Sequence, residues 1–121
     1  MTAILEDPRR MNLLGLLMHG LIESNLRDPA VAAAVGRIRG DVFVQAGDMG
    51  VTLRFGGGVV SIQRGDSGRS IARVRGGMQD LLGMVTGAGL VGPVLAGRVR
   101  IGGNPFVLLR ILPLIRAPKE G

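Results

Sequence analysis

Between residues 41 and 75 the sequence contains four short runs with strand character, which glycine-rich segments separate. In the second run Val51, Leu53 and Phe55 share one parity, while Thr52 and Arg54 share the other. A period of two is typical of strands with one buried and one solvated face, as in an antiparallel sheet covered on one side. The glycine-rich breaks suit tight turns. We therefore predict four strands, over Asp41–Gln45, Gly50–Phe55, Val59–Gln63 and Arg69–Arg75.

Helical patterns flank these runs on both sides. Asp7-Pro8 and Asp28-Pro29 each place an N-cap side chain before a proline, which predicts helix starts. The first helix is expected from Pro8 to about Arg27, with a wide apolar stripe that includes Leu13 and Leu16. Downstream we predict a helix over Met78–Thr86, a fifth strand over Gly97–Gly102, and a last helix from Asn104-Pro105 to Pro113.

The length of 121 residues and the absence of a linker or internal repeat predict a single α+β domain over 1–121. We expect N-terminal helices over 1–36, and the sheet with the C-terminal helices over 37–116. The longest uncharged run, Leu81–Gly97, is shorter than the ~20 residues of a spanning helix and contains Pro93. We therefore expect a cytoplasmic protein, with a peripheral position at a membrane left open.

The side chains that carry catalysis are scarce. There is no Cys, Trp or Tyr, and His19 is the single histidine, so a cysteine nucleophile and a thiolate zinc site are excluded. Gly65-Asp66-Ser67-Gly68 looks like a serine-protease nucleophile string, but we interpret it as a hairpin turn because no base accompanies it. Gly87–Gly92 matches G-x-G-x-x-G without the preceding strand or the downstream acid of a dinucleotide site. We predict no enzyme activity, no cofactor and no metal site.

The net charge of +6 comes from 15 basic and 9 acidic residues, which favours an anionic partner. The outward phase of three predicted strands would gather five arginines on one face: Arg54, Arg73, Arg75, Arg98 and Arg100. This face is either a docking surface for headgroups or protein, or an ordinary solvated face that discourages edge aggregation. Nucleic acid is not expected, because an aromatic stacking platform is missing.

The segment Phe106–Arg116 is apolar on all sides except at Arg110 and Arg116. A helix that is apolar all round must be covered on every side, and a small one-sided sheet does not suffice for this. The cover is either the first helix of the chain, or an apolar ligand, a second subunit or a bilayer surface.

The stretch Leu82-Gly83-Met84-Val85-Thr86-Gly87, followed by Ala96-Gly97-Arg98-Val99-Arg100-Ile101-Gly102-Gly103-Asn104, resembles the sterol carrier protein 2 (SCP2) lipid-binding domain. In that family a leucine-rich helix ends at a Thr-Gly or similar cap. A basic strand, a Gly-Asn or Gly-Asp turn and a final apolar helix follow. The resemblance covers about Gly36–Ile115.

The resemblance implies a five-stranded, mainly antiparallel sheet with helices packed on one face and a hydrophobic tunnel between the two layers. It implies non-catalytic binding and transfer of an apolar lipid: a fatty acid, an acyl-CoA, a sterol-like molecule or an isoprenoid quinone precursor. By position, the expected lipid-binding residues are Leu82, Val85, Leu95, Val99, Ile101, Phe106, Leu109 and Leu112. The expected headgroup or docking residues are the five arginines named above and Arg110. The alternative is an interaction module whose C-terminal helix docks onto a homodimer partner or a membrane-associated enzyme complex, such as one of quinone biosynthesis.

Overall fold

The computed structural model describes residues 2–85, 97 and 99–115, with the backbone alone described for 82–85. The elements follow one another along the chain as β1 (Thr2–Leu5), α1 (Leu13–Asn25), α2 (Pro29–Val35), β2 (Gly40–Ala46), β3 (Met49–Gly56), β4 (Val59–Arg64), β5 (Ser70–Gly76), α3 (Met78–Val85), β6 (Val99–Gly103) and α4 (Pro105–Ile115). This is the predicted α+β class, and the predicted strands agree with the observed ones to within two residues at either end.

The strands form one mixed sheet in the order β1-β4-β3-β2-β5-β6. The pairs β2–β3, β3–β4 and β5–β6 are antiparallel, whereas β1–β4 and β2–β5 are parallel. The predicted count of five strands is wrong by one, because β1 adds to the edge of the sheet beside β4. Its sequence, Thr-Ala-Ile-Leu, does not alternate in polarity, so the period of two could not reveal it.

Two short turns create the β2–β3–β4 meander. Gly47 and Asp48 join β2 to β3, and Gly57 and Gly58 join β3 to β4. Both glycines of the second turn have positive φ, +61° and +76°, which a type I′ hairpin turn requires at its two central residues. The glycine-rich breaks of the sequence therefore act here as the predicted turns.

Residues 65–69 do not form the predicted hairpin turn. They link β4 to β5, two strands that run in the same direction with β3 and β2 between them. Three strand spacings amount to roughly 14 Å, while the chain from Arg64 to Ser70 extends at most roughly 21 Å. The link therefore crosses two strands with little slack. We call residues 65–69 the crossover loop.

The helices pack on one face of the sheet, as predicted, and we call this the core face. Its side chains include Val44, Leu53 and Ile62, which form one apolar cluster with α1 and α4. The opposite side, which carries Thr52, Arg54 and Arg73, is the outer face.

Helix α1 starts later than the Asp7-Pro8 signal predicts. Asp7 has a φ of 51°, and the helix begins at Leu13 behind Asn12, whose side chain accepts a 2.9 Å hydrogen bond from the Gly15 amide. Its buried face is formed by Leu14, Gly15, Met18 and Ile22. Leu13 and Leu16 of the predicted apolar stripe remain 60% and 47% exposed.

Helix α4 begins where the sequence predicts, with the Asn104 side chain accepting a 3.0 Å hydrogen bond from the Phe106 amide. It does not end at Pro113, which lies inside the helix, and it continues to Ile115. The helix packs against α1, α2 and β5. Near its end, the Asn25 side chain of α1 donates a 2.6 Å hydrogen bond to the carbonyl of Leu114. No helix among the described residues is long and apolar enough to cross a membrane.

Candidate functional site

Helix α4 has two apolar faces with different surroundings. Leu108, Ile111 and Leu114 are buried to 5% exposure or less, against the helix layer and the sheet. Phe106 and Leu109, which are three residues apart and therefore neighbours on the helix surface, are 71% and 58% exposed. The rest of the described chain thus covers one face of α4 and leaves the other open. We call Phe106 and Leu109 the open face of α4.

The predicted lipid-binding residues divide between these surroundings. Val99 is buried on β6, and Ile101 and Leu112 pack partly buried against the apolar core. Phe106 and Leu109 face outwards. Leu82, Val85 and Leu95 lie outside the residues whose side chains the structure describes.

The described residues also line two open clefts, and neither has the apolar lining of a lipid tunnel. One, of 580 Å³, is bordered by charged side chains of both signs at the β1–β4 edge: Glu6, Asp7, Arg10 and Arg64. The other, of 270 Å³, lies between the start of β1 and the end of α1, beside Glu23 and Arg27.

Four of the predicted docking arginines share the outer face. Arg73 and Arg75 follow each other in the outward phase of β5, Arg100 lies opposite Arg75 on β6, and Arg54 lies on β3. Arg98 lies outside the described residues. Arg110 is exposed on α4, in the helix layer and away from this face.

Arg54 differs from the other arginines of the outer face because it forms an ion pair. Its Nε donates a 3.0 Å hydrogen bond to Oδ1 of Asp41, and its Nη2 donates one of 3.3 Å to Oδ2. Asp41 is only 6% exposed, and its Oδ2 also accepts a 2.7 Å hydrogen bond from the Ser67 hydroxyl. The Arg54 hydrogen bond is the main cause that lowers the pKa of Asp41, against burial, which raises it.

The crossover loop lies over Asp41 and Arg54, and Ser67 of the loop completes a polar cluster with them. The Thr52 hydroxyl, on β3, donates a 2.7 Å hydrogen bond to the carbonyl of Gly65 and accepts one of 3.1 Å from the Ser67 amide. Thr52 is fully buried as a result, although it belongs to the outer face. The loop therefore covers the β3–β2 half of the outer face and leaves the β5–β6 half open.

The sequence analysis did not single out Phe43. It has the same parity as Asp41 and Gln45 on β2, which places it on the outer face, yet it is only 4% exposed. The guanidinium carbon of Arg75 lies 5.8 Å from the centre of its ring. An aromatic residue in the polar phase of a strand was the signal that could have identified it.

The Ser67–Asp41 pair does not have the partners that a nucleophile needs. His19 lies on α1, on the other side of the sheet, where its Nε2 is 3.3 Å from a carboxylate oxygen of Glu23. Asp41 is already bound by Arg54 and Ser67, so these groups fix the loop rather than activate a hydroxyl. Within the described residues, no group of three His, Cys, Asp or Glu side chains could hold a metal ion.

No family model and no curated protein matches the sequence. Among solved structures, "UbiJ-SCP2 Ubiquinone synthesis protein" aligns with a TM-score of 0.67 and 20% identity over 88% of this chain and 93% of the other. The sterol carrier protein domain 2 of Helicoverpa armigera aligns with a TM-score of 0.61 and 16% identity over 84% of each chain. This chain has the SCP2 fold.

The SCP2 fold of this chain also matches part of a much larger protein. That protein is the stereoselective inverting sec-alkylsulfatase Pisa1 from a Pseudomonas species, with a TM-score of 0.60 and 17% identity. The match covers 74% of this chain but 14% of the sulfatase. The SCP2 fold therefore also occurs as a segment of a larger protein that is named as an enzyme.

Proposed function

We propose that this protein binds the apolar part of a lipid, without catalysis, on the helix side of its sheet at α4. The observation that carries the proposal is the pair of apolar faces on α4, one buried at Leu108 and Ile111 and one open at Phe106 and Leu109. The exposed pair on this apolar helix is a surface that a further apolar partner can cover.

A lipid chain is a suitable cover for this helix. Phenylalanine alone presents roughly 150–250 Å² of apolar surface, and its burial contributes ~25 cal/mol per Å². On the ligand side each methylene contributes ~0.8 kcal/mol, so a sixteen-carbon chain gives roughly 10 kcal/mol before the costs of ordering. Specific polar contacts are not needed for such binding.

The SCP2 fold supports the same function, because proteins named as sterol carriers share it. The candidate ligands are a fatty acid, an acyl-CoA, a sterol-like molecule and an isoprenoid quinone precursor. The neighbour named as a ubiquinone synthesis protein favours the last of these. The lipid-contacting set that we propose is the one expected from the sequence, with Phe106, Leu109 and Leu112 on α4 and Val99 and Ile101 on β6.

The second candidate is an interaction module that docks through the open face of α4. It is favoured by Arg110, which is exposed next to Leu109 and gives this face the combination of aromatic, aliphatic and arginine side chains common in interface anchors. The sulfatase shows the same fold as a segment within an enzyme. The partner would be a second copy of the chain or an enzyme of lipid or quinone metabolism.

Native mass spectrometry of protein purified without detergent, followed by solvent extraction, separates the two candidates. We expect a monomer that carries about one molecule of lipid mass per chain. A monomer free of lipid, which also fails to take up added fatty acid, would contradict the carrier function. A lipid-free dimer would favour the interaction module.

A further inference from the structure

We propose that the β5–β6 half of the outer face docks onto an anionic lipid bilayer through Arg73, Arg75 and Arg100, which we call the arginine triangle. This surface lies on the opposite side of the sheet from α4. The proposal goes beyond lipid binding at α4 and does not depend on it.

The register of the sheet brings these three cations together. Arg75 pairs directly with Arg100 across the antiparallel β5–β6 ladder, and Arg73 is the next outward residue along β5, opposite Gly102. Directly opposed side chains in such a ladder have Cβ atoms about 4.5–5.5 Å apart, and like charges at that spacing repel. An anion that binds both guanidinium groups removes this repulsion.

The described residues do not provide that anion. The ion pairs among the described side chains join Arg54 to Asp41 and His19 to Glu23, and neither involves the triangle. The carboxylate of Asp41, on the same face, already accepts hydrogen bonds from Arg54 and from Ser67. The positive charge of the triangle therefore faces solvent without an acidic partner in the described structure.

Phe43, on the outer face, positions Arg75 and is not available to bind a nucleobase. Arg75 lies over the Phe43 ring, within the ~6 Å range of a cation–π contact, so one side of its guanidinium is occupied. Phe43 is buried, so its ring offers no surface on which a nucleobase could stack. The guanidinium edges remain free for phosphate, which arginine binds in a bidentate manner.

The shape of the surface favours a bilayer over a folded protein. The triangle lies on the surface of a sheet, on the two strands at its β6 edge. Ile71, the outward residue before Arg73 on β5, is 40% exposed, so one apolar side chain accompanies the charges. Lipid headgroups diffuse laterally and can gather under fixed cations, whereas an acidic protein would need a matching arrangement of carboxylates.

Vesicle flotation tests this proposal. The probes are vesicles of phosphatidylcholine with about a quarter phosphatidylglycerol, and vesicles of phosphatidylcholine alone, in ~0.1 M salt. We expect the wild-type protein to float with the anionic vesicles only. Because each arginine near such a surface contributes a factor of about five, R73Q/R75Q/R100Q should lower the partition coefficient about a hundredfold.

A charge-matched control keeps the test specific. The variant R9Q/R27Q/R37Q removes three exposed arginines from segments that flank α1 and α2 and has the same net charge as the triangle variant. The partition coefficient of this control variant should fall by less than about fivefold. The variant R73K/R75K/R100K should retain most of the binding to anionic vesicles. If circular dichroism shows that the triple glutamine variant is unfolded, R73Q/R100Q replaces it, with R9Q/R37Q as its control.

Three results would overturn the proposal. These are a wild-type protein that does not float with anionic vesicles, an equal loss in the triangle and control variants, and unchanged binding in the triangle variant. Loss of nucleic-acid or acidic-protein binding in the triangle variant, with no vesicle binding by the wild type, would assign the surface to another partner.

Discussion

The hydroxyl of Ser67 donates a 2.7 Å hydrogen bond to Oδ2 of Asp41, from which it is separated by 26 residues in sequence. Asp41 lies near the start of β2, and Ser67 lies in the middle of the crossover loop. The bond therefore fastens the loop to a strand that it must pass over on its way from β4 to β5.

The Asp41 carboxylate should stabilise the fold through its hydrogen bonds with Arg54 and Ser67. D41N keeps the shape of the side chain but removes the charge that Arg54 and Ser67 bind. Because hydrogen bonds to a charged, buried group contribute about 1.5–3 kcal/mol, we expect the free energy of unfolding at pH 7 to fall by about 2 kcal/mol. Urea denaturation measures this. D48N, in the exposed β2–β3 turn, is the control and should change stability by less than about 0.5 kcal/mol.

The contribution of the Asp41 carboxylate to the free energy of unfolding should disappear in acid. The Arg54 hydrogen bond lowers the pKa of folded Asp41 below its ordinary value of 3.8. The stabilisation is therefore fully present above pH 3.8 and is lost as the pH falls through the lower pKa of the folded state. The stability difference between wild type and D41N should be largest near neutral pH and should shrink as the pH falls below 3.8. A difference that stayed constant over this fall in pH would show that the charge of Asp41 is not what stabilises the cluster.

The open face of α4 should be required for lipid uptake. Because Phe106 and Leu109 are exposed, F106D and L109D should leave the fold intact while placing a charge where the lipid chain lies. We expect at least a tenfold loss of bound fatty acid, measured as extracted lipid per chain or by displacement of a fluorescent fatty acid. L13D changes a leucine that is 60% exposed on α1 and should leave uptake unchanged. Normal uptake by both α4 variants would place the binding site elsewhere.

Gly103 should tolerate no side chain. Its φ is +74°, and an added Cβ would collide with the backbone of Ile71 and Ala72 on the neighbouring strand. We expect G103A to lower the free energy of unfolding by at least about 2 kcal/mol, because both the conformation and the contact are unfavourable. The adjacent G102A is the matched control, because its Cβ would meet only the Arg73 side chain at an ordinary 3.8 Å. Thermal denaturation of the two variants tests this, and equal melting temperatures would contradict it.

The sequence predicted the strands of the meander well because a period of two identifies both their positions and their buried faces. The sequence also held the information that places Asp41 opposite Arg54. A two-residue turn at Gly47-Asp48 pairs Ala46 with Met49, and counting outwards along both strands then pairs Asp41 with Arg54. The ion pair that separates Arg54 from the arginine triangle could therefore have been found from the turn alone.

Other features could not be obtained from local patterns. Leucine, methionine and isoleucine together occupy most of the circumference of α1, so periodicity could not show that Met18 and Ile22 are buried while Leu13 and Leu16 are exposed. The position of β1 depends on pairing with β4, more than fifty residues away. The glycines at 65 and 68 have positive φ, as they would in a hairpin, and only the pairing of β5 with β2 shows that the chain crosses instead.

The path of the crossover loop also sets the native sheet against a simpler topology. Strands β2, β3 and β4 are consecutive and can associate by a short conformational search, whereas β5 pairs with β2 across a longer separation in sequence. A competing topology, in which β5 folds back antiparallel onto β4 through a tight turn at Gly65 and Gly68, requires less chain rearrangement. In that topology Ser67 would lie at the turn, at the far end of the sheet from Asp41. The hydrogen bond between Ser67 and Asp41 therefore forms in the native topology and favours it over the simpler one.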